Sequence, residues 1–260
     1  MPKIKIQVST QKLTAIIITF NEIDYITQCV NSILFADEII AVDSFSTDGT
    51  WEFLNSHPKI KAIQHPFENF TTQKSYALQQ ASNDWVYFLD ADERVTPSLQ
   101  KEIIQTINSK DTASAYWNYR SFMFENKRLY FSGWQTDKIQ RLFRKSRCEF
   151  VDDRLVHETL KVDGSQAKLK EKLIHYSYKN YEDYKGKMLK YGRLRALEEF
   201  NKGKKWTLLH QILRPCWKYF NHYIIRLGIL DGKKGIIICY LNALGVHERY
   251  KELKRLRTNT

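Results

Sequence analysis

Residues 13–20 read LTAIIITF, a nearly continuous β-branched apolar run that Asn21 and Glu22 bring to an end. A strand with one wet face would alternate polar with apolar residues, whereas an unbroken run fits a parallel strand covered on both faces. Working outward, Tyr25, Ile26, Cys29, Val30, Ile33 and Leu34 recur at three and four residues, the spacing of a helix face. Residues 38–42 (EIIAV) form a second apolar run ending at Asp43-Ser44, and Thr47-Asp48-Gly49-Thr50 can start the next helix. The alternation continues with a strand at 60–64, a helix at 72–81 and the run WVYFL at 85–89, which leads into Asp90. Strands alternating with helices predict an α/β fold with a doubly wound, mostly parallel sheet. Ligands of such sheets sit beyond the carboxyl ends of the strands. Here those ends carry Asn21 and Glu22, Asp43 and Ser44, and Asp90, Asp92 and Glu93.

Further along, aromatic-rich, strand-like pieces occupy 115–124, 128–133, 138–144 and 148–150. From Asn180 the pattern turns helical. Tyr181, Tyr184, Met188, Tyr191 and Arg195 share one face of a helix reaching Asn201, and residues 206–230 and 232–257 read as two more, joined at Leu230-Asp231-Gly232. With 43% hydrophobic and 27% charged residues, the 260-residue chain has ample apolar surface for a core, which excludes intrinsic disorder. Its net charge of +12 is uneven, because residues 161–260 hold 23 Lys and Arg against 9 Asp and Glu. A basic tail beside a near-neutral body suggests contact with phosphates of a membrane, a nucleic acid or an anionic substrate. No apolar run approaches the ~18 residues of a spanning helix, residues 1–12 carry no signal core, and the four scattered cysteines fit reduced thiols, so a cytoplasmic protein is expected.

The strongest chemical signal is Leu89-Asp90-Ala91-Asp92-Glu93. Two carboxylates one residue apart, on a turn leaving a strand, can hold a hard divalent cation directly and through water, with phosphate oxygens completing its shell. That points to a diphosphate substrate, whose leaving group such a cation neutralises. The structural alternative is that Asp90 and Asp92 cap the helix beginning near Pro97. Asp43 can accept from a base imide or a ribose hydroxyl, or can instead cap the helix after Thr47. No G-x-G-x-x-G or G-x-x-x-x-G-K-[ST] string occurs, which disfavours dinucleotide and P-loop sites.

Taken in order, TAIIITFNE, EIIAVDSFSTDGT and DWVYFLDADERV resemble the nucleotide-sugar domain of glycosyltransferase family 2. Within that family the chain is most similar to bacterial lipopolysaccharide-core β-1,4-glucosyltransferases, through its L-D-A-D-E, Arg141 to Lys145 (RLFRK), Val156-His157-Glu158 and Leu230 to Gly235 (LDGKKG). The resemblance implies a GT-A fold and inverting transfer of a sugar from a nucleoside diphosphate, dependent on Mg²⁺ or Mn²⁺. It implies a catalytic domain over 1–178, with a nucleotide-sugar half at about 12–95 and an acceptor half at about 96–178, and a helical, basic extension over 179–260. By position, Thr19, Asn21 and Glu22 line the nucleotide pocket, Asp43 contacts the base, and Asp90, Ala91 and Asp92 flank ribose, diphosphate and metal. His157 is a candidate second metal ligand beside Asp92. The family commonly has Q-R-N-x-A-L where this chain has Gln73-Lys74-Ser75-Tyr76-Ala77-Leu78, so Lys74 offers the diphosphate a cation without the planar fork of Arg. Inversion needs a base for the acceptor hydroxyl, and the family supplies a late carboxylate. Glu158 is expected in that role, with Asp153 and Asp152 as competitors. Arg141 and Arg144 are candidates for anionic acceptor or diphosphate oxygens, and Trp134 for stacking on a sugar ring.

In the tail, Trp206, Leu209, Leu213, Trp217, Phe220 and Ile224 recur at helical spacing among Lys204, Lys205, Arg214, Lys218 and Arg226. Such a helix either lies in the headgroup region of an anionic membrane or packs its apolar face on the body of the protein. The expected activity is transfer of a hexose, glucose from UDP-glucose, to a glycolipid acceptor of the lipopolysaccharide or lipooligosaccharide core. The expected location is peripheral, on the inner face of the bacterial cytoplasmic membrane. Alternatives are a polyprenyl phosphate or capsule acceptor, a nucleotidyltransferase, and a nucleic-acid-binding protein that uses the basic tail, although no nucleic-acid partner is expected.

Overall fold

The computed structural model describes residues 11–151 and 159–258. In chain order the elements are β1 (Leu13–Thr19), α1 (Ile23–Ser32), β2 (Glu38–Asp43), α2 (Thr50–Ser56), β3 (Ile60–Gln64), α3 (Phe70–Gln79), β4 (Trp85–Asp90), β5 (Glu93–Arg94) and α4 (Pro97–Ile107). There follow β6 (Ala115–Phe124), β7 (Lys127–Arg128), β8 (Lys138–Arg144), β9 (Cys148–Val151), β10 (Thr159–Val162), β11 (Gln166–Lys168) and β12 (Leu173–Tyr178). The last helices are α5 (Tyr181–Asn201), α6 (Leu208–Phe220) and α7 (Gly232–Thr258). The chain divides into two compact units, one formed by the described residues up to Arg120 with those from Lys138 to His175, the other by Ser121–Asp137 and Tyr176 onward. A single linear boundary at 178 therefore misses one feature: the segment 121–137 belongs with the helices.

In the first unit β1 pairs in parallel with both β2 and β4, and β2 with β3, giving the order β3-β2-β1-β4. Every residue of β1 is buried, as the unbroken apolar run requires. Alternate side chains serve two cores. Leu13, Ala15 and Ile17 pack with Ile26, Cys29 and Val30 of α1, Leu54 of α2, and Leu99 and Ile103 of α4. Ile16 and Ile18 pack on the other face with Ala77 and Leu78 of α3, along with Phe150 and Leu160 from the antiparallel β9–β10 hairpin. Beyond β4 the sheet changes direction, β8 pairing antiparallel with β4 and β6 antiparallel with β8. The parallel half thus ends at the strand bearing Asp90.

In the second unit α5 packs on α7. Their backbones come close where Gly192 faces Gly245, since a Cβ on Gly192 would lie 2.6 Å from the Gly245 carbonyl oxygen. A core of Phe122, Phe124, Leu129, Tyr178, Tyr184, Ile238 and Leu241 joins these helices to the 121–137 segment. The helix expected over 206–230 is shorter than its periodicity suggests. It ends at Phe220, continues as a wide turn over Asn221–Ile225, and breaks at Leu227, whose φ is +56°. The break lets Asp231 accept from the backbone N–H of Tyr130 (2.9 Å) and Phe131 (3.1 Å) and from Ser132 Oγ (2.8 Å). Gly235 sits against the Gly228 carbonyl, where a side chain would collide. These contacts account for the L-D-G-x-x-G string as a clamp. Among the described residues no helix is long and apolar enough to cross a membrane.

Candidate active site at the carboxyl edge of the sheet

Register brings the strand ends together. Thr19 lies opposite Asp43 and Ile18 opposite Asp90, so β1, β2 and β4 deliver their terminal side chains to one edge. Asn21 takes a left-handed conformation (φ +54°) that turns the chain back over this edge. There its N–H donates to Ser46 Oγ (2.8 Å) while its Oδ1 accepts from the Thr47 N–H (2.8 Å), clamping the end of β1 to the turn after β2. The Glu22 N–H donates to Thr50 Oγ1 (2.9 Å). Asp43 is fully buried and accepts from the Ser46 N–H (2.9 Å) and hydroxyl. It does not cap α2, whose N-cap is Gly49. Thr19 is buried, and its Oγ1 has no hydrogen-bond partner among the described residues.

At the end of β4 the carboxylates are likewise not caps, because Thr96 caps α4 by accepting from the Leu99 N–H (3.2 Å). Arg141, 1% exposed, donates to Asp90 and to Glu93 (2.7 Å). Glu93 is fully buried, accepts from the Asp90 N–H (3.2 Å) and also faces Arg120 (3.5 Å). Burial opposes ionisation of Asp90, but the Arg141 guanidinium, with Lys74 behind it, overrides burial and holds the carboxyl well below the usual carboxylate range. Asp92 is treated alike, burial being outweighed by His175, whose Nε2 lies 3.4 Å from Asp92 Oδ2. The other oxygen, Asp92 Oδ1, is buried and has no hydrogen-bond partner among the described residues. Arg94 splints the turn by donating to the carbonyls of Ala91 (2.8 Å), Glu93 (2.7 Å) and Tyr25 (2.6 Å).

A cavity of about 250 Å³ opens beside this network, lined by Lys74, Phe88, Trp117, Lys138, Arg141 and Phe150 among others. The buried Lys74 Nζ stands 5.6 Å from the Phe88 ring centroid and 5.9 Å from that of Phe150. This is a recess with aromatic walls and cations, and its lining residue Arg141 is the one that holds Asp90.

Not every expected residue joins this edge. Arg141 arrives, but its guanidinium is engaged by Asp90 and Glu93 and so positions them. Arg144 does not arrive, because antiparallel pairing sets it opposite Trp85 at the start of β4, where it binds Asp84 (3.0 Å) and covers the Trp85 ring at 4.3 Å. Trp134 belongs to the second unit and lies flat on Phe122, ring centroids 4.0 Å apart, so packing takes up one face of its indole. Asp152, Asp153, His157 and Glu158 lie outside the described residues. Among the described residues no group of three or more His, Cys, Asp or Glu forms a closed metal site. Sequence reasoning missed Arg94, Arg120 and His175. Arg94 directly follows the motif and could have been suspected, whereas His175 lies far down the chain on β12, with no local pattern to mark it.

The family model for glycosyl transferase family 2 matches residues 14–159, more than half of the chain. The fold, the strand-end carboxylates and this match define the class: the chain belongs to glycosyl transferase family 2 and is a glycosyltransferase. Among its relatives, the lipopolysaccharide core biosynthesis glycosyltransferase LpsC of Rhizobium meliloti is 26% identical over 92% of this chain and 93% of its own. An uncharacterized glycosyltransferase of Rickettsia bellii is 30% identical over 95% of this chain and 87% of its own. The fold matches that of the Pyrobaculum calidifontis mannosyltransferase PcManGT, solved with GDP-Man and Mn²⁺, with a TM-score of 0.51, 16% identity, and coverage of 97% of this chain and 77% of that one. The architecture is therefore GT-A with a helical C-terminal region.

Proposed function

We propose that this glycosyltransferase moves a hexose, with inversion, from a nucleoside diphosphate sugar to a glycolipid of the lipopolysaccharide core, UDP-glucose being the expected donor. The observation that carries the donor half is the asymmetry at the end of β4, where Arg141 and Glu93 hold Asp90 while Asp92 has one buried oxygen with no hydrogen-bond partner among the described residues. An anionic oxygen left without a donor in a buried site is costly unless a cation or a ligand proton completes it. Asp92 thus fits a divalent ion whose remaining ligands are water and phosphate oxygens, in keeping with the Mn²⁺ and GDP-Man held by PcManGT. Such an ion, Mg²⁺ or Mn²⁺, would offset charge on the diphosphate leaving group. The likeness to LpsC supports the acceptor half.

In this reading Asp43 and the Asn21 turn hold base and ribose, with Thr19 and Glu22 on the pocket wall. Lys74 faces the diphosphate, and the recess between Phe88 and Phe150 receives the hexose. The acceptor hydroxyl attacks the anomeric carbon from the face opposite the diphosphate. Glu158, or failing it Asp153, takes the hydroxyl proton as the new C–O bond forms and the bond to the diphosphate oxygen breaks. The nucleoside diphosphate leaves with the electron pair, and the configuration inverts. The acceptor's lipid anchor places the enzyme at the inner face of the cytoplasmic membrane.

Calorimetric titration with UDP, GDP and their glucose conjugates, with and without Mn²⁺, tests the donor site. Metal-dependent binding of one nucleotide, lost in Asp92→Asn, is expected; no nucleotide binding under any condition would overturn the proposal. For the base, Glu158→Gln should abolish transfer while donor binding survives, and retained activity there with loss in Asp153→Asn would move the role.

A further inference from the structure

Helix α6 is built inside out. Leu209, Ile212, Leu213, Trp217 and Phe220 recur at i, i+3, i+4, i+8 and i+11, a single apolar stripe. No residue of α6 is buried, and the stripe is the face turned outward, with Leu209 64%, Leu213 54% and Trp217 57% exposed. The side turned to α7 is the mixed one. It includes His210, which stacks on Tyr250 of α7, and Lys218, whose ammonium is disfavoured by burial and by Arg226, Arg195 and Arg249. Trp206, at the helical spacing of the stripe, leaves it to pack against the cluster of Ala196, Tyr250 and Leu253.

The exposed stripe continues past the helix into Ile224, Ile225, Leu227, Ile229 and Leu230, the last 63% exposed. This apolar tip is held firmly, because buried Asp231 anchors it to the 130–132 backbone and buried Gly228 packs against Cys239. A rigid scaffold that presents leucine and isoleucine to water is unusual, and contiguous patches of this kind mark binding surfaces. From Lys202 to Lys234 there are eight Lys and Arg, and the only carboxylate is the engaged Asp231. Lys202, Lys205, Arg214 and Lys233 are exposed.

We infer that the outward stripe of α6 and the 224–230 tip form a monotopic docking surface for an anionic phospholipid bilayer, the apolar residues entering the headgroup boundary and the cations meeting lipid phosphates. The inference rests on the reading that the acceptor is a glycolipid. The charge argues against a second copy, because an isologous interface would set each basic rim against its twin.

The test is flotation of the full chain with vesicles of phosphatidylcholine alone and with roughly 30% phosphatidylglycerol. Wild type should partition at least about tenfold better to the anionic vesicles, and the Leu213→Ser/Trp217→Ser variant should lose at least about tenfold of that binding. Because both positions are exposed, circular dichroism and UDP titration should be unchanged in the variant. Wild type failing to float, the variant floating as wild type does, or a concentration-dependent dimer abolished by the same pair would each overturn the inference. Flotation without any nucleotide binding would instead break the proposal for the donor site and leave the membrane surface standing.

Discussion

Helices α1 and α6 carry the same kind of pattern and meet opposite fates. In α1 the stripe Ile26, Cys29, Val30 is buried against the sheet. In α6 the stripe Leu209, Leu213, Trp217 faces outward. Amphipathic spacing states only that a face is apolar, and the neighbours decide what covers it. The first unit has a sheet with two open faces to be covered. In the second, α5 and α7 already satisfy each other through close backbone contact at Gly192, so α6 is free to dock by its mixed side.

The largest effect should come from the most deeply charged part of the first unit. Arg141→Met leaves Asp90 and Glu93 without their shared guanidinium, which should cost about 3–5 kcal/mol in urea unfolding. A loss under 1 kcal/mol would show that the carboxylates relax or take protons freely. The two helices can be compared directly: Ile26→Ala in α1 should cost about 2–5 kcal/mol, while Leu213→Ala in α6 should stay within about 0.5 kcal/mol. Equal costs would mean that the α6 stripe is covered after all.

Acid should separate the two units. Asp90 is held below the usual carboxylate range, so the stability it contributes is full above about pH 4 and falls only below that. His222 is the reverse type of group. Burial, with Lys218 and Arg226 nearby, pushes its imidazole down to about 4 despite a hydrogen bond to the Ser132 carbonyl (2.9 Å). It folds neutral, so its contribution is present above about pH 6.5 and is lost as the pH falls toward 4. Hydrogen exchange resolved by segment should therefore show 121–137 and the C-terminal helices loosening between pH 6.5 and 4.5, with the sheet unaffected. The ring is only half-buried, so the loss should be modest. His222→Gln should flatten it, and an unchanged slope in that variant would assign it elsewhere. The smallest effect is expected at Arg144, at the far edge of β4: Arg144→Gln should cost no more than about 1 kcal/mol and leave donor binding unaltered.

Much of the first unit was legible from the chain. Unbroken apolar runs located β1, β2 and β4, and alternation with helices gave the parallel half of the sheet. The edge residues Asn21, Asp43 and Asp90 were legible for the same reason, since each ends such a run, with Asp92 two residues beyond the last of them. Arg144 was misplaced because a motif's spacing carries no strand direction, and the antiparallel turn of β8 puts it at the opposite end from Asp90. The helix over 206–230 was overextended because its periodicity runs on past Phe220, while its break is imposed by Asp231 and Gly228 contacts from other segments.

The sequence by itself determined which stretches are strands and helices, which carboxylates end strands, and that the tail is basic and amphipathic, because these follow from periods of two and 3.6 residues and from simple charge. Tertiary structure alone decided that Arg141 serves Asp90 and Glu93, that His175 stands beside Asp92, and that α6 turns its apolar side outward. Those are relations between groups tens of residues apart, and the free energy of a buried charge or an apolar stripe is fixed by what the fold brings against it.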